Sequence, residues 1–235
     1  MCKKCATRRD GAFLHQTLTQ QVIAAIIHVK SHRLPDLYDV MKNTATRDKL
    51  IDSGAELIAQ QGYNATGINA VLKTCGVPKG SFYHYFSSKE DFGLAVIERF
   101  ADDYDASLAA LLEDPALPPL ERLRRYFATG RAHMLDCDHT TGCLIGNLGQ
   151  ELSGQSDTFR DALNLVFQRW EKRFVACLSQ AQADGTINAA IPPEALASFI
   201  LSGWEGAILR AKTLKSLAPM EHFEAILFDQ VLVPR

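Results

Sequence analysis

Apolar positions at helical spacing run through the chain, and the elements they predict are helices. In residues 46–61, Leu50, Ile51, Ala55 and Ile58 share one face, and Gly62 stops the helix. Thr66 can cap a second helix, whose Ile68, Val71 and Leu72 face inward and whose Asn69 and Lys73 face out. Gly76 closes it, because a glycine just past a helix end takes the left-handed conformation without steric cost. A third helix opens on Pro78, whose missing N–H loses nothing at the first helical position. Phe82 and Phe86, four apart, face inward and leave Lys79, Gly80, Ser81, Tyr83 and His84 outward. Ser87 and Glu90 read as a Ser-x-x-Glu capping box for the next helix.

The rest of the chain continues in helices. Residues 94–112 form a long segment ending before Asp114-Pro115, and Pro118-Pro119 punctuate a loop before residues 120–135. A Thr-Thr-Gly break at 140–142 precedes residues 143–152. Residues 157–183 carry an apolar stripe of Phe159, Leu163, Val166, Phe167, Trp170 and Phe174, stopped by Asp184-Gly185. Pro192-Pro193 opens a helix through residue 212, and residues 219–231 form the last. The fold class is therefore all-α, with a three-helix helix-turn-helix domain at 41–92 and a larger helical domain at 93–235. Residues 1–40 read as an extension, disordered or upstream of a natural start at Met41. Residues 14–29 make a marginal helix, and Pro35 interrupts the stretch beyond it. Cys2-Lys3-Lys4-Cys5 has zinc-like spacing, but no second Cys/His pair lies at a compatible distance, so neither a metal nor a cofactor is expected.

Composition adds a charge asymmetry. The chain has 235 residues, 47% of them hydrophobic, enough to bury a substantial core. Residues 1–40 and 41–89 each carry six Lys/Arg against three Asp/Glu, which leaves −8 on residues 90–235 of a net −2. A basic module on an acidic body fits nucleic-acid binding through one end. The six cysteines are scattered and no signal peptide is evident, so a reducing cytoplasm is expected. The apolar run at 22–27 is too short to span a membrane.

The third helix carries the candidate chemistry. Gly80 and Ser81 let its backbone approach a duplex, while Lys79, Tyr83 and His84 can reach phosphates or base edges. Lys89 falls in the first turn of the following helix, where a cation opposes the dipole, so an outside phosphate is its expected partner. On spacing alone, a plain turn between two amphipathic helices fits as well. Residues 46–93, above all GYNATGINAVLKTCGVPKGSFYHYFSSKEDF, resemble the N-terminal DNA-binding domain of the tetracycline-repressor (TetR) family. The resemblance implies an all-helical homodimer on a palindromic double-stranded operator, with a divergent C-terminal domain for a small-molecule effector. It puts recognition contacts on Lys79, Gly80, Ser81, Tyr83 and His84, and DNA-backbone contacts on Thr46, Thr66, Tyr85 and Lys89. Tyr85 and Phe86 could equally be core aromatics, and core is preferred for Phe86. In such a family the helices at 157–183 and 193–212 form the dimer interface; the alternative is that their stripes are only monomer core.

Two apolar segments are interrupted by polar groups. Asn147, Gln150 and Glu151 interrupt GCLIGNLGQE at 142–151, while Glu205 and Arg210 interrupt WEGAILRAK, which runs from Trp204 to Lys212. Such groups either pair with one another or face a cavity that a ligand fills. The GCL motif with the later Ala-Lys resembles the TetR subgroup that senses reactive electrophiles and unsaturated small acids; Cys143 matches its sensing cysteine and Lys212 the accompanying lysine. An ammonium or guanidinium beside Cys143, from Lys212 or Arg210, would lower the thiol pKa and make the sulfur reactive. Cys137 is a candidate resolving thiol, and Cys75 and Cys177 read as small buried hydrophobes. The expected function is a repressor released when an electrophile or oxidant modifies Cys143, with coupling through residues 94–112. The alternative is a small acid or aromatic held noncovalently by Arg210 and Lys212. An enzyme using Cys143 with His133 or His139 as base lacks any local motif to set its geometry, so an enzyme is not expected.

Overall fold

The structure, a computed structural model, describes the backbone of residues 34–234 and the side chains of residues 44–234. The Cys2/Cys5 pair and the marginal helix at 14–29 lie outside them. Among the described residues the elements are helices: α1 (Leu34–Gln61), α2 (Ile68–Cys75), α3 (Lys79–Tyr85), α4 (Lys89–Leu112), α5 (Pro119–Asp136), α6 (Leu144–Leu152), α7 (Asp157–Ala183), α8 (Pro193–Leu214) and α9 (Ala218–Ile226), the last continued by a π turn, Leu227–Val231. The all-α class expected from periodicity is what the chain adopts.

The departures are local. α1 begins at Leu34 rather than near residue 46, with Pro35 in its first turn, where a missing N–H breaks no helical bond. α4 runs unbroken across the 92/93 boundary. Thr66 does not cap α2; that position belongs to Gly67, which makes no side-chain bond. Thr66 is 2% exposed, and its hydroxyl donates to the Gly62 carbonyl at 2.7 Å while accepting from Gln61 Nε2 at 3.2 Å. The cap of α4 is Ser88, one residue later than the box at Ser87 and Glu90. Ser88 Oγ accepts from the Asp91 N–H at 3.0 Å, and the Asp91 carboxylate accepts from the Ser87 N–H at 2.8 Å, so Asp91 is the acidic half of the box. Gly76 has φ 64°, and its N–H and that of Val77 close the last turn of α2 onto Leu72 and Lys73, as expected of a left-handed cap.

Each helix buries one face. In the first three helices and the start of α4, Phe82, Phe86 and Phe92 meet with ring centroids 5.1–5.4 Å apart, over Leu50, Ile51, Val71 and Leu72. Each such ring contributes about 2–3 kcal/mol by leaving water. The α7 stripe is interior to the monomer: Phe159, Leu163, Val166, Trp170 and Phe174 are buried, and Phe167 packs against them. Arg173 of α7 forks over Asp105 of α4 with both bonds at 2.6 Å and also reaches Glu113, fixing the two long helices in register. The bond from Arg173 is the main reason the Asp105 carboxyl titrates below its ordinary range.

Candidate functional site

α3 is seven residues long and is anchored by Phe82, which is fully buried. Anchoring that side turns the other outward. Tyr83 is 57% exposed, Lys79, Gly80 and His84 are exposed, and Ser81 is half-buried. A β-carbon at Gly80 would meet nothing within 4 Å, so the helix backbone is open to a close-fitting partner there. Asn69 and Lys73 of α2 are exposed as well. Tyr85 is half-buried against the core, where Phe86 is buried outright. Thr46 lies half-buried on α1.

Two of the expected DNA-backbone contacts are engaged inside the protein. Thr66 is buried with its hydroxyl bonded to the Gly62 carbonyl, as described. Lys89 turns back over the Tyr63 ring at 4.4 Å and donates to the Asn64 carbonyl at 3.3 Å. Burial lowers its pKa, with the Glu151 charge acting the other way.

In the body, α4, α5, α8 and the start of α6 enclose a cavity of about 290 Å³. Phe100, Tyr104 and Leu108 come from α4, Tyr126, His133 and Met134 from α5, and Trp204, Glu205 and Ile208 from α8. Cys143 joins them as the N-cap of α6. The walls are chiefly apolar, with a few polar groups contributed by each of the surrounding helices. The Tyr104 and Tyr126 hydroxyls lie 3.3 Å apart, and burial raises both phenol pKa values. Cys143 Sγ accepts from the Gly146 N–H at 3.4 Å, and the Glu205 carboxylate lies against the same glycine. Burial, and then the Glu205 charge, push that thiol well above its ordinary value. Burial likewise raises Glu205, against the opposing bond from Cys143. A β-carbon on residue 146 would overlap the Glu205 carboxylate, so a side chain there would push that carboxylate aside.

The neighbour of the Cys143 sulfur is thus a carboxylate, not the expected cation. Arg210 is exposed on α8, and Lys212 runs past Gly142, its Cδ 3.9 Å from where a β-carbon on that glycine would stand. The residues lining the cavity include neither. Of the expected effector residues, Cys143, Trp204 and Glu205 meet at the cavity. Asn147 lies beside Gly142, and Gln150 is exposed. Glu151 is at the far end of α6, where its carboxylate accepts from the backbone N–H groups of Tyr63 at 2.9 Å and Asn64 at 2.7 Å. Gln155 takes the Asn64 side chain at 3.3 Å. Glu151 therefore holds the loop between α1 and α2 instead of facing a ligand. Sequence reasoning misses Tyr104 and Tyr126; a hydroxyl on the inward face of a long apolar helix is the available signal. Phe100, Leu108 and Met134 carry none that separates them from ordinary core.

Cys75 and Cys177 are buried, and burial pushes Cys177 up to about 11. Cys137 is half-buried. Burial would raise its thiol, but hydrogen bonds from Thr141, Thr140 and His139 outweigh that and leave it lowered. No helix of the described residues is long and apolar enough to cross a membrane, and no group of His, Cys, Asp and Glu among them could hold a metal ion.

Known proteins match both regions. Residues 50–96 fit the family described as bacterial regulatory proteins, tetR family, and residues 119–227 fit the tetracyclin repressor-like C-terminal domain. The chain is 36% identical over 192 residues to the transcriptional repressor DhaR of Mycobacterium sp. (strain GP1), covering 82% of this chain and 95% of that one. It is 44% identical over 178 residues to the transcriptional regulator AcuR of Cereibacter sphaeroides, covering 74% and 80%. The crystal structure of Escherichia coli NemR in its reduced form superposes with a TM-score of 0.74 at 31% identity, covering 80% of this chain and 98% of that one. With the exposed face of α3 matched by the first of these families and the cavity-bearing body by the second, the chain belongs to the TetR family of helix-turn-helix transcriptional regulators and is not an enzyme.

Proposed function

We propose that this protein is a cytoplasmic repressor that holds a palindromic operator as a homodimer and lets go when a small electrophile reacts with Cys143. The observation that carries the effector half is the place of that thiol, in the wall of a cavity of about 290 Å³ lined in part by aromatic side chains. The DNA half rests on the outward face of α3, where Lys79, Tyr83 and His84 surround the open backbone at Gly80. Thr46 and Tyr85 would add contacts to the DNA backbone.

A dimer suits the logic, because one seven-residue helix reads few bases and two half-sites a helical turn apart multiply the discrimination. α7 and α8 would supply the interface. Their inward stripes serve the monomer, but each also has an exposed side with apolar groups, Leu165 on α7 and Phe199 and Leu209 on α8, with exposed Ser202 and Gly206 between the last two. Release requires the modified cavity to favour an arrangement of the two α3 helices that no longer matches the operator.

A gel shift on the DNA upstream of the protein's own gene, with and without a panel of electrophiles and against random competitor DNA, tests the whole scheme. Specific binding lost on treatment, and retained by a Cys143→Ser protein, is the expected result. Release of the serine protein by every electrophile tried would instead favour a noncovalent effector. The apolar walls would suit an uncharged aromatic ligand, whereas a small acid would find the Glu205 carboxyl there and no lining cation. Binding that ignores sequence and disappears steeply with salt would point to nonspecific packaging.

A further inference from the structure

We propose that Glu205 is the proton acceptor for Cys143, and that the pair makes the cavity selective for uncharged conjugate acceptors such as α,β-unsaturated ketones. This rests on the reading of Cys143 as the sensor. The sulfur accepts from the Gly146 N–H, the Glu205 carboxylate lies against that same glycine, and the lining residues, which include both Cys143 and Glu205, include no lysine or arginine. The titratable groups facing it are Tyr104 from α4, Tyr126 and His133 from α5, and Glu205 from α8. Gly146, by lacking a side chain, gives the carboxylate its seat against the thiol.

Such a thiol is protonated at rest, since burial and a carboxylate neighbour both disfavour the thiolate. A protonated thiol is a poor nucleophile toward peroxide or disulfides in bulk water. It becomes reactive when an acceptor is held beside it and the proton can leave in the same step. The balance closes without any oxidant or leaving group. The sulfur forms a bond to the β-carbon while the S–H proton passes to the Glu205 carboxylate. The π pair of the carbon–carbon double bond moves onto the carbonyl oxygen as an enolate, in a cavity that the paired Tyr104 and Tyr126 hydroxyls also line. Ketonisation then takes the proton from Glu205 to the α-carbon, so the net change is addition of S–H across the double bond. An anionic acceptor is disfavoured at entry by the apolar walls and the carboxylate, and gains no lining cation in return.

The alternative role for Glu205 is passive: a nearby charge that only raises the thiol pKa. The two roles predict opposite signs for Glu205→Gln. The full-length protein is treated with 2-cyclohexen-1-one, and Cys143 adduct formation is followed by intact-mass and peptide mass spectrometry from pH 6 to 9, with crotonate and hydrogen peroxide as parallel arms. If Glu205 accepts the proton, Glu205→Gln slows adduct formation at pH 7 by about tenfold or more, and its rate climbs about tenfold per pH unit as free thiolate takes over. Glu205→Asp recovers part of the rate, and the parent reacts with the enone well ahead of crotonate and peroxide. If Glu205 is passive, Glu205→Gln reacts faster than the parent, and the inference falls. Gly146→Ala, which drives the carboxylate from the thiol, should slow the reaction as Glu205→Gln does; an unchanged rate counts against the pair. The underlying reading fails separately: adduct forms at Cys143 yet operator binding is unaffected, or Cys143→Ser releases operator as readily as the parent.

Discussion

The two ends of α6 each involve a glutamate, and the glutamates do opposite things. At the C-terminal end, Glu151 accepts two backbone N–H groups from the loop between α1 and α2, so its charge is matched by donors aimed at it. At the N-terminal end, Glu205 reaches in from α8 to meet a thiol and two phenols in a chiefly apolar cavity. A carboxylate with amide donors is a structural clamp; one held against a weak acid is poised to take a proton. The difference lies in the donors each finds, not in the residue.

That contrast can be broken from either end. Truncating the cavity wall with Trp204→Ala should cost about 3–5 kcal/mol, because a side chain 2% exposed leaves a void among Phe127 and Phe223. Denaturant melts would read the loss, while amide exchange at Tyr63 and Asn64, measured relative to the global value, should stay protected. Glu151→Ala should cost about 2–3 kcal/mol, since it removes a charged acceptor from two backbone donors. Here hydrogen exchange should show those two amides opening first, and unchanged protection would deny the clamp.

Raising the pH tests the buried weak acids together. Cys177 moves from its ordinary 9.0 up to about 11, and Tyr63 from 10.0 up to about 12, the first by burial and the second by burial and then the charges of Glu90 and Glu151. Both folded pKa values are raised, so the fold binds these protons more tightly than the unfolded chain. That stability is complete below pH 9 and is lost as pH climbs through the raised values. For Cys177 the loss between pH 9 and 11 is on the order of 2–3 kcal/mol, read as a falling Tm. The smallest effect is at the poised glutamate: Glu205→Gln removes a buried charge without leaving a void and should shift stability by about 1 kcal/mol or less. A larger loss would mean that Glu205, too, is a clamp.

Some helix bounds are legible because they are written locally. Asp157–Ala183 starts after a capping serine and stops before Asp184-Gly185, and Phe82 and Phe86 declare the buried side of α3 by spacing alone. What sequence cannot supply is who meets whom. Glu151 binds a residue 88 positions away, and Lys89 bends back to Asn64 instead of facing outward. Sequence places the partner of Cys143 on the right helix, α8, but on the wrong turn: Glu205 and Lys212 are seven residues apart, two turns on similar faces but about 10 Å along the axis. Periodicity fixes the face of a helix and leaves open which turn of it stands opposite a given neighbour.

α6 has a mechanical consequence of its own. Its nine residues make a rod about 13 Å long, closed on itself by backbone hydrogen bonds and hard to compress lengthwise. The sulfur caps one end, and two amides of the α1–α2 loop are held near the other. If Cys143 is the sensor, as proposed, an adduct that displaces its sulfur would push along this rod toward the loop that Glu151 holds.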